Sequence, residues 1–264
     1  MNIFLHELKA CRKSIAVWSC SMAALAIMYV FIYKGLGSDI EDFKVFVSNL
    51  PDVMKKAFSI YLDSISTLVG FYSFIFSFVL LCGAIQAMNI GTSIVSKEVS
   101  DKTADFLLTK PVSRKEVLAS KTLAAAASLL ITNIIYLGLT IPVAAVVTGG
   151  FDVKLYLLLS ATLFFVQLMF AALGIIISAI AGKIKSVLSV SLSTVFGLYI
   201  LGTLGEVVGE NTVRYISPFR YFDAYYIINN RAYEASFVIA GIIFVAAAIA
   251  ASFVIYVKKD IHAV

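Results

Sequence analysis

Charged side chains are scarce in this chain. Asp, Glu, Lys and Arg make up 14% of its 264 residues, against about 25% in soluble domains, which excludes an ordinary soluble fold. Cysteine is scarcer still: Cys11, Cys20 and Cys82 fall in or beside the first two apolar runs, and no loop holds a pair. A disulfide framework and zinc-type spacing are therefore excluded. The two histidines, His6 and His262, lie at opposite ends and neither pairs with carboxylates at metal-ligand spacing; no metal site is assigned. No G-x-x-x-x-G-K-[ST] occurs, since Gly182-Lys183 leads to Ile184 and lacks the upstream glycine, so the chain does not bind nucleotide through a P-loop. No nucleophile–base constellation is present. The chain is read as a non-enzyme with no cofactor of its own.

What is abundant is apolar surface: 61% hydrophobic residues and a mean hydropathy of +0.95. A bilayer core about 30 Å thick takes roughly 20 apolar residues per helix. Six runs meet that length: Ile15–Tyr33, Leu68–Ile94, Leu123–Val147, Leu155–Ala181, Val187–Gly205 and Phe237–Val257. A transmembrane barrel would need strands of about ten residues with strict alternation, whereas these runs are apolar on every face. The expected fold is an all-α integral membrane protein, residues 1–264 forming a single six-span domain.

None of the six runs, as bounded, contains Asp, Glu, Lys, Arg or His. A charge at a span centre costs about 2.5–3.5 kcal/mol and is kept for function. Proton- or ion-driven carriers generally keep a few. A chain with none must take its energy from outside the bilayer.

Charge distribution predicts both termini inside. The start, the loop from residue 96 to 121, the turn at 182–186 and the tail then hold 13 of the 21 Lys and Arg. The other eight (Lys34, Lys44, Lys55, Lys56, Lys154, Arg214, Arg220, Arg231) are spread over longer outer loops, as the positive-inside bias requires. That distribution also explains the net charge of +5 without nucleic acid as a partner.

Residues 1–13 read as an amphipathic lead-in, with Ile3, Leu5, Leu8 and Cys11 roughly on one face. Such a segment lies at the interface and leads into a retained signal-anchor helix rather than a cleaved leader. In the first outer loop, Pro51 predicts a short helix with Val53, Met54, Ala57 and Phe58 as its apolar side. Between residues 206 and 235, Tyr215, Ser217, Pro218, Phe219, Arg220, Tyr221, Phe222, Asp223, Tyr225 and Tyr226 crowd together. This is an outer re-entrant turn or an interfacial aromatic belt.

Small residues recur every fourth place at Ala124, Ser128, Thr132 and at Ser189, Ser193, Gly197, marking helix-packing seams. The uncharged polar residues Gln86, Asn89, Asn133 and Gln167 lie within spans. They either line a translocation cleft or hydrogen-bond between helices, a contact worth about 0.6 kcal/mol on average.

The densest polar stretch is Ser96–Lys121, SKEVSDKTADFLLTKPVSRKEVLASK. Before Pro111, Val95, Val99, Thr103, Phe106 and Leu107 approximate a helical stripe, with Lys97, Glu98, Asp101, Lys102 and Asp105 on the polar side. After it, Ser113-Arg114-Lys115-Glu116 is a capping box that starts a new helix into the third span, with Val112 and Val117 as its staple. The expected element is a stiff elbow that a soluble partner can grip.

The run Glu98…Asp101-Lys102-Thr103…Leu107-Leu108…Lys110-Pro111-Val112-Ser113-Arg114…Val117-Leu118…Lys121 resembles the signature loop of ABC exporter permeases of the second membrane-domain type. Glu7-Leu8-Lys9 with Arg12-Lys13-Ser14 and Trp18 is similar to that family's entry helix. Ser217–Asp223 resembles its last outer loop, and Lys258-Lys259-Asp260-Ile261 its tail. Lys102 departs from the pattern, which has Gly before the Thr.

The resemblance implies a permease subunit in a bacterial cytoplasmic membrane, paired with a second permease and coupled to a separate ATPase subunit that binds the ATP. Export is the implied direction. The first half of the loop would be the coupling helix, with Glu98, Asp101, Lys102, Asp105, Phe106, Leu107, Pro111, Arg114 and Lys121 as its docking and transmitting residues. Phe106 and Leu107 would anchor, and the charges would fix register. The alternative is a non-transporting scaffold or sensor that uses the same elbow for signalling or immunity.

Overall fold

The computed structural model describes residues 3–51, 54–55, 65–100, 113–181, 184–209 and 211–258. They form an α-helical membrane protein with no strand among the described residues. Six helices are long and apolar enough to cross a bilayer. They are α1 (Ile3–Leu36), α3 (Leu68–Ser100), α4 (Arg114–Thr148), α5 (Val153–Ala181), α6 (Val187–Val208) and α9 (Ala235–Lys258). Shorter pieces lie between them: α2 (Ile40–Ser48), α7 (Asn211–Arg214) and α8 (Ala224–Asn230).

Every helix outruns its apolar stretch. The lead-in is not a separate element: Ile3 to Leu36 form one continuous helix. α4 starts nine residues before its apolar run, at the capping box. The Ser113 backbone N–H donates to Glu116 Oε2 at 2.9 Å, and the Glu116 N–H donates to Ser113 Oγ at 3.2 Å. Val117, the staple residue on the helix side, is buried; Val112 lies outside the described residues. At its far end α4 closes on Gly149, whose φ of 73° is a left-handed C-cap that glycine adopts without strain.

Two contacts fix which helix ends share a face. Lys121 pairs with Glu7 and donates to the Ile94 carbonyl, joining the start of α1, the end of α3 and the start of α4. At the other end the Tyr33 hydroxyl donates to the Ser66 carbonyl at 2.9 Å. We call the first end the terminal face and the second the far face.

α3 and α5 form the centre. In their apolar windows 67% and 61% of residues are buried, against 17% for α6 and 11% for α9, so the last two are peripheral. Glycine permits the central contact. A Cβ on Gly91 would meet the Ala171 carbonyl oxygen at 2.3 Å, and one on Gly174 would meet the Met88 carbonyl oxygen at 2.7 Å. The backbones touch where side chains would ordinarily hold them apart. α1 packs along α4 and α3, with Ser19, Met22, Ala23 and Ala26 buried in the bundle. The Ala124–Ser128–Thr132 seam of α4 is fully buried, whereas Ser189, Ser193 and Gly197 of α6 are exposed.

The chain between α6 and α9 re-enters the bundle from the far face. The Ser217 hydroxyl donates to the Leu198 carbonyl at 2.8 Å, ten residues or about 15 Å of helix from the end of α6. Phe219 packs on Phe170 with ring centroids 5.0 Å apart, and Phe222 stacks on Phe165 at 5.4 Å. Glycine again makes room: a Cβ on Gly202 would lie 2.6 Å from Ser217 Oγ, and one on Gly205 would lie 2.5 Å from Val213 Cβ. Backbone that leaves helix at this depth is tolerated because protein surrounds and satisfies it.

Ion pairs clasp the segment. Arg220 pairs with Glu206, Arg214 with Glu234 at 2.9 Å and Arg231 with Asp152 at 2.8 Å. Arg214 also lies 3.8 Å above the Phe237 ring, a cation–π contact. The Tyr233 hydroxyl donates to the Leu158 carbonyl at 2.6 Å; burial pushes its phenol up to about 12, so it stays a neutral donor. Of the expected helix after Pro51, Met54 and Lys55 return backbone hydrogen bonds to the Pro51 carbonyl. Val53, Ala57 and Phe58 lie outside the described residues.

Candidate coupling site

The charged loop is rooted in two helices, and the structure describes both roots. α3 carries the chain out to Ser100, and α4 takes it back in from Arg114. Glu98 lies in the last turn of α3. Asp101, Lys102, Asp105, Phe106, Leu107 and Pro111 lie outside the described residues, so the elbow's own geometry is not part of the picture. Arg114 opens α4 and is half-buried.

Lys121 lies two turns further along α4 and points inward. It is 1% exposed, and its Nζ stands 3.5 Å from Glu7 Oε1, itself in a side chain 4% exposed. The same Nζ donates to the Ile94 carbonyl, two turns before α3 ends. One ammonium therefore ties together three helices beside both roots of the loop. The Coulomb attraction is strong where water is excluded, but removing two charges from water costs several kcal/mol each. Such a pair contributes little net stability. Breaking it from one side strands a buried charge.

Glu7 is the residue that reading the charged loop alone overlooks. It is the sole acidic residue before Asp39, set among His6, Lys9, Arg12 and Lys13. That isolation was the available signal. Lys121 is thus no surface contact; it joins the loop's root to α1.

Deeper in the bundle the polar residues form a continuous chain. Gln86 Nε2 donates to Thr132 Oγ1 at 2.9 Å. Gln167 Nε2 donates to Gln86 Oε1 at 3.2 Å, and Asn133 Nδ2 donates to Gln167 Oε1 at 2.6 Å and to the Leu129 carbonyl at 2.8 Å. Gln86 and Gln167 are fully buried and Asn133 nearly so, while Asn89 is half-buried. The arrangement joins α3, α4 and α5 by hydrogen bonds. Nearer the far face, a second polar layer spans the same helices: the Tyr72 hydroxyl lies 2.5 Å from that of Tyr136 and 3.0 Å from Ser160 Oγ. This layer was not anticipated, because tyrosines in an apolar run read as core.

A family model described as "ABC-2 family transporter protein" matches residues 1–261. No curated protein matches the chain.

Proposed function

Because this chain belongs to the ABC-2 family of transporter proteins, we propose that it is a permease subunit that pairs with a second permease and takes its power from a separate ATPase. The terminal face is cytoplasmic, where Lys and Arg concentrate. ATP binding in the partner would close the ATPase pair and displace the loop between α3 and α4. Its two roots would carry that displacement into the spans, and cargo would leave the cell.

The observation that supports this reading best is the junction at Lys121. A loop hung on two independent helices would absorb a push by bending. A loop whose roots share an ammonium, and are held by it to α1, passes the push to three helices together. The capping box adds to this, since it holds the first turn of α4 helical up to the point where the loop begins.

The test is co-purification. Asp101→Lys combined with Phe106→Ala removes the expected register charge and the expected anchor. The detergent-solubilised variant should lose the ATPase subunit that the native chain brings down, and should lose stimulation of ATP turnover. An ATPase retained with unchanged turnover would sink the docking claim. An ATPase that binds but never turns over faster with any cargo would instead favour a scaffold or sensor.

A further inference from the structure

On the far face, a pocket opens between α3, α6 and the re-entrant turn. Its walls include Ser77 of α3, Tyr199, Thr203 and Glu206 of α6, and Phe219 and Arg220 of the turn. The Glu206–Arg220 pair lies in the wall with side chains 14% and 22% exposed. It is therefore neither sealed in the core nor free in solvent. Glu206 lies within the last turn of a spanning helix, and Arg220 belongs to a turn anchored well down that helix.

The pair carries no net charge, and this selects among ligands. A simple cation at this place gains from Glu206 and is repelled by Arg220; a simple anion meets the reverse. A group with both signs a few ångströms apart addresses both. The hydroxyls of Ser77, Tyr199 and Thr203 offer donors and acceptors to its oxygens. Tyr199 and Phe219, edge to face at 5.4 Å, add an aromatic wall that suits an ammonium.

We propose that this pocket binds a zwitterionic headgroup with a phosphate and an ammonium, the phosphate at Arg220 and the ammonium at Glu206. The site stands whether or not the chain moves cargo, so it does not depend on the transport reading. The same chemistry arrives by two routes: on a phospholipid from the surrounding leaflet, or as free phosphoethanolamine from solution.

Native mass spectrometry of the purified protein in detergent, supplied with phosphatidylethanolamine or phosphatidylglycerol, tests the proposal. The native chain should retain phosphatidylethanolamine in preference by at least about tenfold, the effect of one charge-assisted hydrogen bond. Glu206→Gln should abolish the preference. Thr203→Val with Ser77→Ala leaves the ion pair in place and should weaken retention while thermal stability holds, which separates binding from folding. Phosphoethanolamine that binds alone identifies a solute site; binding only on a lipid identifies a leaflet site. Equal retention of both lipids by the native chain, or a preference that survives both sets of changes, overturns the proposal.

Discussion

At the scale of single residues, the Lys121–Glu7 pair sets the sharpest expectation. Both groups are almost wholly buried, so each compensates the other for part of the water it has lost. Lys121→Met leaves Glu7 charged in a site built for a partner, and removal of one side of a buried pair costs about 3–5 kcal/mol. Glu7→Met should do the same from the other side. With both changes present neither charge of this pair is left facing the other's empty place, and buried pairs replaced by apolar groups of similar volume are neutral or stabilising by about 1–4 kcal/mol. Thermal unfolding in detergent should show each single variant strongly destabilised and the double variant largely recovered. A double variant as unstable as the sum of the singles would mean that the two side chains matter separately. Transport would still suffer in the recovered protein, because the ammonium's hold on the Ile94 carbonyl is gone.

At the scale of helices, glycine divides into two populations. Gly91 and Gly174 bring α3 and α5 into backbone contact, whereas Gly138 and Gly197 have nothing within 4 Å of a built Cβ. Gly91→Leu or Gly174→Leu would have to push the two central helices apart, and over-packing of this kind costs about 1–3 kcal/mol or more. Gly138→Ala and Gly197→Ala restore helix propensity with no clash and should gain about 0.5–1 kcal/mol. Measured melting temperatures that fail to separate the two groups would contradict the seam. The same contrast explains what the sequence discloses and what it withholds. Apolar length disclosed six helices because each run must cross the bilayer alone. The capping box disclosed where α4 starts because its bonds are local. Spacing could not say that Ala124–Ser128–Thr132 faces inward while Ser189–Ser193–Gly197 faces outward, since both have the same period. Nor could it give the depth of the re-entrant turn, which depends on Gly202 and Gly205 of another helix. The apolar runs stop at the first charge, short of the helix ends, because the partners that satisfy Glu7, Lys121 and Glu206 are distant in sequence.

For the whole molecule, the question is where cargo passes. Three of the four amides that could line a route inside the bundle are spent on one another and on Thr132: Gln86, Asn133 and Gln167 form a hydrogen-bonded chain. Opening a route there would part α3 from α5 along a glycine seam and strand several buried amides, each costing about 1–3 kcal/mol. α6 and α9, by contrast, are peripheral and bury few residues within the chain. A route between two permeases, bordered by such outer helices, breaks none of these contacts. Single cysteines test this after the native Cys11, Cys20 and Cys82 are replaced. Gln167→Cys and Asn133→Cys should stay protected from a charged thiol reagent both without nucleotide and with ATP trapped in the partner ATPase. Ser193→Cys, on the exposed face of α6, should react, and a rate that changes with the nucleotide state is what a route through the proposed pairing of permeases requires. Labelling of Gln167→Cys on ATP trapping would place the route through the bundle's own core, and the polar chain would then be a gate rather than a brace.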